Sequence, residues 1–485
     1  MKHHHHCMFT LIFVIFFTGC GTASKPKLIK KEKIYGTDGE GLSIFHRIAE
    51  RDGGLGLKFP GFIISIEKAY REKIRKKDYK KNSPDFESIN NEHFQGNTSY
   101  QKSVSRILDD RKRTFISHLV EYRMDQYKGY IREDFFYNAY DKCFDTKTED
   151  VYLKGLLKLD ELRNRIFMND SETPYTHIFL YCMGWNTDQQ ESVRNYNSLF
   201  SQIIKAHTEG APFRPLFIGI SWPSEWRSQF LGGFISAISY GAKADDADEV
   251  GLMWVNKILW NILAPLKRAK RIPLIVVGHS FGARVVTRAV FSNGLIDIPA
   301  GEKGLPAVSE AAEDIDLVVG LQGAFSIRRF IPEDGKEGSP YGDFARNRYA
   351  KKFVFTWSEH DFANPIAKFF TGASHIGGRY GHEVSLDHQD IFNHYTIEVK
   401  EDACNYDVTV REIQREMGGK IKDEEQLGWN ESFRHPEKIS IVDASALIKN
   451  KPYGKGGNAH SDIYTPGVAH FLWNCIHNIE NIQSR

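Results

Sequence analysis

The amino-acid sequence predicts an α/β protein: a mostly parallel β-sheet flanked by helices, preceded by a charged, mainly helical N-terminal region. Two observations support this prediction. From about Pro174 onward, short apolar runs rich in β-branched and aromatic residues alternate with helical segments, which is typical of a parallel sheet with crossover helices. Between residues 34 and 169 the chain is instead heavily charged, and its apolar residues recur near helical spacing.

Composition and charge narrow the class of protein. Of the 485 residues, 41% are hydrophobic and 26% are charged, which are ordinary values for a chain that buries a sizeable core. The length favours two folded units or one enlarged unit. A formal net charge of +2 lacks the basic excess of a nucleic-acid-binding protein, so no nucleic-acid partner is expected. The sequence does not indicate an oligomeric state.

Residues 1–20 are predicted to be an export signal. The apolar run at 8–17 is shorter than the roughly 20 residues that a membrane-spanning helix needs. It ends in Phe17-Thr-Gly-Cys20, which resembles a bacterial lipobox. That resemblance implies that Cys20 is lipidated and that the exported protein is anchored to a membrane of the bacterial cell envelope. An uncleaved hydrophobic anchor or a plain signal peptide is the alternative.

Residues 21–33 form a Lys-rich segment suited to tether a folded domain to a membrane, and residues 34–169 are predicted to be the helical region. The stretch 67–81 carries eight Lys/Arg against three acidic residues. It is predicted to be a solvated helix face or a surface attracted to anionic lipid headgroups. One amphipathic helix face is expected from Val104, Ile107, Leu108, Phe115, Leu119 and Tyr122.

Residues 170–485 are predicted to form the α/β domain, with an irregular polar insertion at about 370–436 and a last helix at 466–479. Of the cysteines, Cys182 and Cys475 lie in apolar segments and are predicted to be buried thiols. The predicted strands, apolar enough to be buried on both faces, are 177–182, 215–221, 274–278, 317–321, 352–357 and 439–442.

The most specific motif is Gly278-His-Ser280-Phe-Gly282, a G-x-S-x-G between an apolar strand and an amphipathic helix. Glycines on both sides of the serine permit the tight turn that lifts its oxygen above the sheet. The motif resembles the nucleophile elbow of α/β-hydrolases of the lipase and esterase type. The resemblance covers about residues 174–485. It implies an α/β-hydrolase fold, a serine nucleophile at Ser280, and a triad in the chain order serine, acid, histidine.

The same resemblance assigns the remaining site residues. The backbone N–H groups of Phe281 and Trp185 are the expected oxyanion donors, with Trp185 following Met183-Gly184 where relatives often have His-Gly. Asp361, after the strand 352–357, is the expected acid, and Glu359 is a close rival. His460, after the final strand, is the expected base. For the base, His394 is the main rival and His470 is expected to pack inside a helix.

These residues predict a serine esterase that acts on an ester or lipid-like substrate through an acyl-enzyme intermediate and needs no cofactor. Transfer of the acyl group to an acceptor other than water stays open. An inactive surface binding protein on a hydrolase scaffold is the alternative, because a fold alone does not imply activity. No metal site is expected. The patch formed by His382, Asp387, His388 and Asp390 lacks a recognisable ligand spacing.

Overall fold

The chain forms one 11-stranded β-sheet with the strand order β10-β9-β11-β8-β7-β6-β4-β5-β1-β2-β3. The strands are β1 Gly61–Ala69, β2 Arg113–Met124, β3 Ile131–Asn138, β4 His177–Cys182, β5 Pro215–Ser221, β6 Leu274–His279, β7 Ile315–Leu321, β8 Ala350–Trp357, β9 Phe392–Asp402, β10 Asn405–Glu412 and β11 Ile439–Asp443. The structure is a computed structural model, and it describes residues 57–69, 101, 104–105, 107, 113–124, 130–139, 151–172, 174–184, 189–207, 212–222, 224, 243–293, 295, 314–331, 341, 349–361, 363–364, 372–402, 405–412, 437–449 and 459–483.

The sheet is mostly parallel, as the sequence predicts. From β1 across to β9, each neighbouring pair of strands runs parallel, whereas β2 and β3 at one edge and β10 at the other are antiparallel. Every residue of β4, β6 and β7 is buried. Continuous burial of this kind requires helices on both faces of the sheet.

The helices are α1 Val151–Glu172, α2 Gln189–Ala206, α3 at 243–270 with π-helical turns at Gly251–Val255 and Ile258–Leu263, α4 Phe281–Val290, α5 Arg379–Ser385 and α6 Pro466–Gln483.

Helices α2 and α4 cover opposite faces of the sheet. Tyr181 of β4 packs on Tyr196 of α2, with 5.4 Å between ring centroids. The next residue, Cys182, pairs with Gly278, which lies against Ala283 of α4. Because successive strand residues point to opposite faces, α2 and α4 lie on opposite faces.

All six predicted strands of the α/β domain are confirmed. The bounds of β4 and β5 coincide with the prediction, and the other four begin or end one or two residues further out. The last helix is also confirmed and continues to Gln483. These elements could be predicted because a strand that is buried on both faces consists almost entirely of apolar residues.

The prediction of a helical N-terminal region is wrong for much of its described part. β1, β2 and β3 extend the sheet there, and α1 is the long helix. The predicted helix face is right at Val104 and Ile107, which are helical and buried. The error arose in β2, where every residue from 114 to 122 is buried. A strand buried on both faces shows no alternation of polar and apolar residues, so the chance spacing of Phe115, Leu119 and Tyr122 resembled a helical face. Most of the basic stretch 67–81 lies outside the described residues.

Buried charge fastens α1 to these added strands. The carboxylate of Glu121, which is fully buried in β2, accepts hydrogen bonds from Arg165 Nη1 at 2.9 Å and Asn169 Nδ2 at 2.6 Å. Arg165 Nη1 also contacts Asp134 Oδ2 of β3 at 2.6 Å. A buried carboxylate is stable only when it is paired and hydrogen-bonded. The charges of the N-terminal region therefore include internal contacts as well as a solvated surface.

The stretch 370–436 is not irregular where the structure describes it. It contains α5 and the antiparallel pair β9–β10, and β9 pairs in parallel with β11. The pair thus extends the sheet beyond β11. Charged and apolar residues alternate along β9 and β10, as expected for strands at an edge with one solvated face. The charged residues of this alternation explain why the stretch looks polar in the sequence.

Three buried histidines predict that the fold loses stability in mild acid. Burial lowers the pKa of His118 and of His394 to about 4, and burial together with nearby His460 lowers the pKa of His279 to about 3. Their ordinary pKa is 6.5. Below that pH the unfolded chain binds protons that the folded chain does not, so the free energy of unfolding should fall as the pH decreases from 6.5 towards the folded pKa of each histidine.

Urea unfolding between pH 7.5 and pH 4.5 measures this loss. The unfolding midpoint should decrease steadily below pH 6.5, and His394→Gln should reduce the slope. A midpoint that stays constant from pH 7 to pH 5 would contradict the prediction.

Candidate active site

Ser280 lies in a sharp turn between β6 and α4. Its φ of 54° is in the left-handed region, where a residue other than glycine is strained. A Cβ at position 278 would lie 2.5 Å from the backbone of Ala283, and one at position 282 would overlap the carbonyl oxygen of Cys182. Both flanking glycines are therefore required by the close approach of the backbone.

Backbone hydrogen bonds fix this turn against the end of β7. The N–H of Ser280 donates to the carbonyl of Leu321 at 2.9 Å, and the carbonyl of Ser280 accepts from the N–H groups of Ala283 at 3.1 Å and Ala324 at 3.0 Å. The strained backbone of the serine is thus held by three hydrogen bonds that do not involve its side chain, so the hydroxyl is left for other contacts.

His460 contacts both Ser280 and Asp361. It lies in a short 3₁₀ turn, Ala459–Ser461, between β11 and α6. Its Nε2 is 2.7 Å from Ser280 Oγ, and its Nδ1 is 2.8 Å from Asp361 Oδ2. Because an ionised carboxylate can only accept, Nδ1 carries the proton and Nε2 accepts from the serine hydroxyl. This tautomer is the one that a general base needs.

Asp361 is buried just after β8 and is surrounded by donors. Its Oδ1 accepts from the backbone N–H groups of Ala363 at 2.8 Å and Asn364 at 3.3 Å, and its Oδ2 also accepts from Asn364 Nδ2 at 2.8 Å. Burial alone would raise the pKa of Asp361, but His460 and these hydrogen bonds hold it below its usual value. The carboxylate is therefore charged at neutral pH.

The rival residues lie elsewhere. The side chain of Glu359 is 64% exposed and pairs with the neighbouring His360 at 3.6 Å. His394 is buried on β9, with its Nε2 3.3 Å from the carbonyl of Ser385. His470 is within α6. The structure thus brings Ser280, His460 and Asp361 together and places these alternatives outside the group.

Of the two expected oxyanion donors, Phe281 lies within the described residues and Trp185 lies outside them. Phe281 is the first residue of α4, so its backbone N–H lies at the positive end of that helix. Trp185 lies outside the described residues and stays a prediction. The loop that leads to it reaches the site, because a Cβ on Gly184 would lie 3.0 Å from Ser280 Cβ. Trp222 Nε1 donates to the carbonyl of Met183 at 2.9 Å and so fixes this loop.

Sequence reasoning missed three buried neighbours of the site: His279, Asn364 and His375. His279 Nε2 donates to the carbonyl of His460 at 2.6 Å and fixes the loop that carries the histidine. His279 lies within the G-x-S-x-G motif, but the motif does not indicate its partner. No motif marks Asn364 or His375.

The described ranges contain two free thiols and neither a cluster of metal ligands nor a membrane-spanning helix. Cys182 and Cys475 are buried free thiols, as predicted. Nowhere in those ranges do three or more His, Cys, Asp or Glu side chains gather as metal ligands would. No helix in the same ranges combines the length and the apolar character that crossing a membrane requires. Cys20 and the rest of the predicted export signal lie outside them.

Comparison with known proteins assigns no family to this chain. No protein-family profile matches the chain, and no curated protein matches it. One solved structure, that of phospholipase PlaB from Legionella pneumophila in complex with thio-NAD, aligns over 64% of this chain and 62% of that chain, with 10% sequence identity and a TM-score of 0.26. This chain thus spans less than two thirds of that protein. At so low a similarity the alignment supports no inference about this chain.

Proposed function

We propose that the protein is a serine hydrolase that cleaves a carboxylic ester through an acyl-enzyme intermediate. The observation that carries this proposal is the row of hydrogen bonds from Ser280 Oγ through His460 to Asp361, at 2.7 Å and 2.8 Å. A nucleophile within hydrogen-bonding distance of a base, with a third group orienting that base, is the arrangement that activates a serine.

In the first step, the Ser280 oxygen bonds to the ester carbonyl carbon while its proton passes to His460 Nε2. The N–H of Phe281, with that of Trp185 as the second proposed donor, stabilises the oxyanion. The bond to the leaving alcohol then breaks, and Nε2 returns the proton to that alcohol. In the second step, water gives a proton to Nε2 and its oxygen bonds to the acyl carbon. The bond to Ser280 breaks, and the serine recovers its proton. Asp361 stabilises the imidazolium throughout and stays ionised.

Two features support assignment to α/β-hydrolases of the lipase or esterase type. The serine follows a central parallel strand in a strained glycine-flanked turn, and the acid and histidine follow later strands in the chain order of that class. We propose an ester or lipid-like substrate on this basis, with no cofactor, because the proposed steps use only side chains, backbone N–H groups and water.

A fluorophosphonate probe tests the proposal. Such a probe reacts with a serine that is activated by a base, whereas its reaction with an unactivated serine is negligible. The folded protein should be labelled on the peptide that contains Ser280. Ser280→Ala should abolish labelling and His460→Ala should nearly abolish it, whereas Ser171→Ala, a control at an exposed serine near the end of α1, should leave it unchanged. A folded protein that takes up no probe and hydrolyses no short ester would instead be an inactive binding scaffold.

We also propose that the protein is exported and held at a bacterial membrane through a lipid on Cys20. The support is the short apolar run and the residues Phe17-Thr-Gly-Cys20. Radiolabelled palmitate should enter the protein in cells, and Cys20→Ser should abolish its incorporation. Incorporation that is unchanged by this substitution would contradict the proposal.

A further inference from the structure

Residues 374–381, with the sequence Ser-His-Ile-Gly-Gly-Arg-Tyr-Gly, form a tight turn that runs into the start of α5 at Arg379 and lies behind the acid of the site. We propose that Asn364, and His375 of this 374–381 turn, are positioning residues that hold the Asp361 carboxylate in the orientation His460 requires. The inference rests on the proposed function and assigns two residues to it that neither contact a substrate nor belong to the triad.

A continuous row of buried hydrogen bonds connects the turn to the serine. Asn364 Nδ2 donates to Asp361 Oδ2 at 2.8 Å, and Asn364 Oδ1 lies 2.9 Å from His375 Nδ1. Asn364 and His375 are both buried. The row therefore continues from Ser280, His460 and Asp361 through two further side chains.

The charge on Asp361 determines the direction of each bond. An ionised carboxylate only accepts, so the amide nitrogen of Asn364 must face it and the amide oxygen must face His375. His375 Nδ1 is then a donor. This donor fixes the amide, because a flipped amide would direct its oxygen at the carboxylate and its NH₂ group at Nδ1–H. His375 thus stabilises the orientation of Asn364 that the charge on Asp361 requires.

The same turn is fastened to the element that holds the nucleophile. Ile376 N–H donates to the carbonyl of Phe325 at 2.9 Å, and Gly377 N–H donates to that of Gly323 at 2.9 Å. The neighbouring Ala324 N–H donates to the carbonyl of Ser280 at 3.0 Å. The 374–381 turn and the serine are therefore hydrogen-bonded to the same segment, residues 323–325.

Glycines make this packing possible. A Cβ on Gly378 would lie 2.8 Å from Asn364 Cβ, and one on Gly381 would overlap the carbonyl oxygen of His375. A Cβ on Gly377 would overlap the backbone of Gln322. Side chains at these positions would push the turn away from Asn364. The glycines therefore permit the contact between the turn and Asn364, which in turn contacts Asp361.

A pair of variants at His375 separates positioning from packing. In His375→Asn the introduced amide can place a donor where Nδ1 was, although it leaves some space unfilled. His375→Leu fills the space but has no donor. We expect His375→Leu to lower kcat by roughly 10-fold to 100-fold with KM nearly unchanged, and His375→Asn to retain most of the activity. A residue that only packs would show the opposite order, with Leu better tolerated than Asn, and that order would overturn the inference.

A second measurement does not depend on turnover. The proton between His460 Nδ1 and Asp361 should give a low-field resonance in the NMR spectrum of the full-length protein, and this resonance should weaken or broaden in His375→Leu but persist in His375→Asn. Asn364→Leu, which keeps the approximate shape of the side chain but has neither donor nor acceptor, should weaken it as well and serves if His375→Leu does not fold.

The two measurements distinguish the possible failures. If the wild type neither hydrolyses esters nor takes up a fluorophosphonate, the proposed function fails, and the resonance alone still decides whether Asn364 and His375 orient Asp361. If the wild type is active and every folded variant matches it in kcat and in the resonance, the positioning role is wrong and the hydrolase proposal stands.

Discussion

Ser280→Ala is expected to lower ester turnover by as much as ~10⁶-fold while the protein stays folded. Removal of the hydroxyl eliminates the nucleophile, and the rate that remains comes from the oxyanion donors and from substrate binding alone. His460→Ala should be about as damaging, because its Nε2 lies 2.7 Å from Ser280 Oγ and the serine is a weak nucleophile without this base. Steady-state hydrolysis of a series of chromogenic esters of increasing chain length measures both losses.

A double variant tests whether Ser280 and His460 act as one unit. Groups that act as one unit do not contribute additively, so Ser280→Ala with His460→Ala should be little slower than either single variant. His394→Ala is the matched control: it removes another buried histidine, which lies on β9 with its Nε2 3.3 Å from the carbonyl of Ser385 at the end of α5. Near-normal turnover in His460→Ala together with a collapse in His394→Ala would mean that the base is wrongly assigned.

The centre of the fold could be predicted because its physical signature is local. β4, β6 and β7 are short apolar runs that are buried along their whole length. Nothing comparable marked the N-terminal strands. In β2, the buried Glu121 and His118 interrupt the apolar run. Glu121 is paired with Arg165 and Asn169, which lie more than 40 positions further along the chain, so no local pattern indicates that its charge is buried.

The site shows the same limit. Ser280 could be found because a strained turn needs glycines at fixed offsets, and the order of the later strands then selected Asp361 and His460. The structure brings these three side chains together, although their roles remain a proposal. Asn364 and His375 could not be found in this way, since a hydrogen bond between two polar residues 11 positions apart has no local pattern. The fit between the 374–381 turn and Asn364 appears only in three dimensions.

Asp361→Asn is expected to preserve the fold and lower kcat by up to ~10⁴-fold. The carboxylate accepts a hydrogen bond from His460 Nδ1 at 2.8 Å, and so keeps Nε2 free to receive the serine proton. If the introduced amide presents its NH₂ group to Nδ1, the imidazole must carry its proton on Nε2 instead, where it cannot act as a base. Loss of the negative charge also removes the stabilisation of the imidazolium formed in each step.

Glu359→Gln is the control for this substitution, because it removes a carboxylate two residues away whose side chain is largely exposed. It should leave kcat and KM nearly unchanged, while Asp361→Asn should depress kcat with a smaller effect on KM. Unfolding midpoints of both variants check that the comparison concerns folded protein. If Asp361→Asn retained wild-type turnover and Glu359→Gln lost it, the orienting carboxylate would be Glu359, and the hydrogen bond between His460 and Asp361 would have no role in turnover.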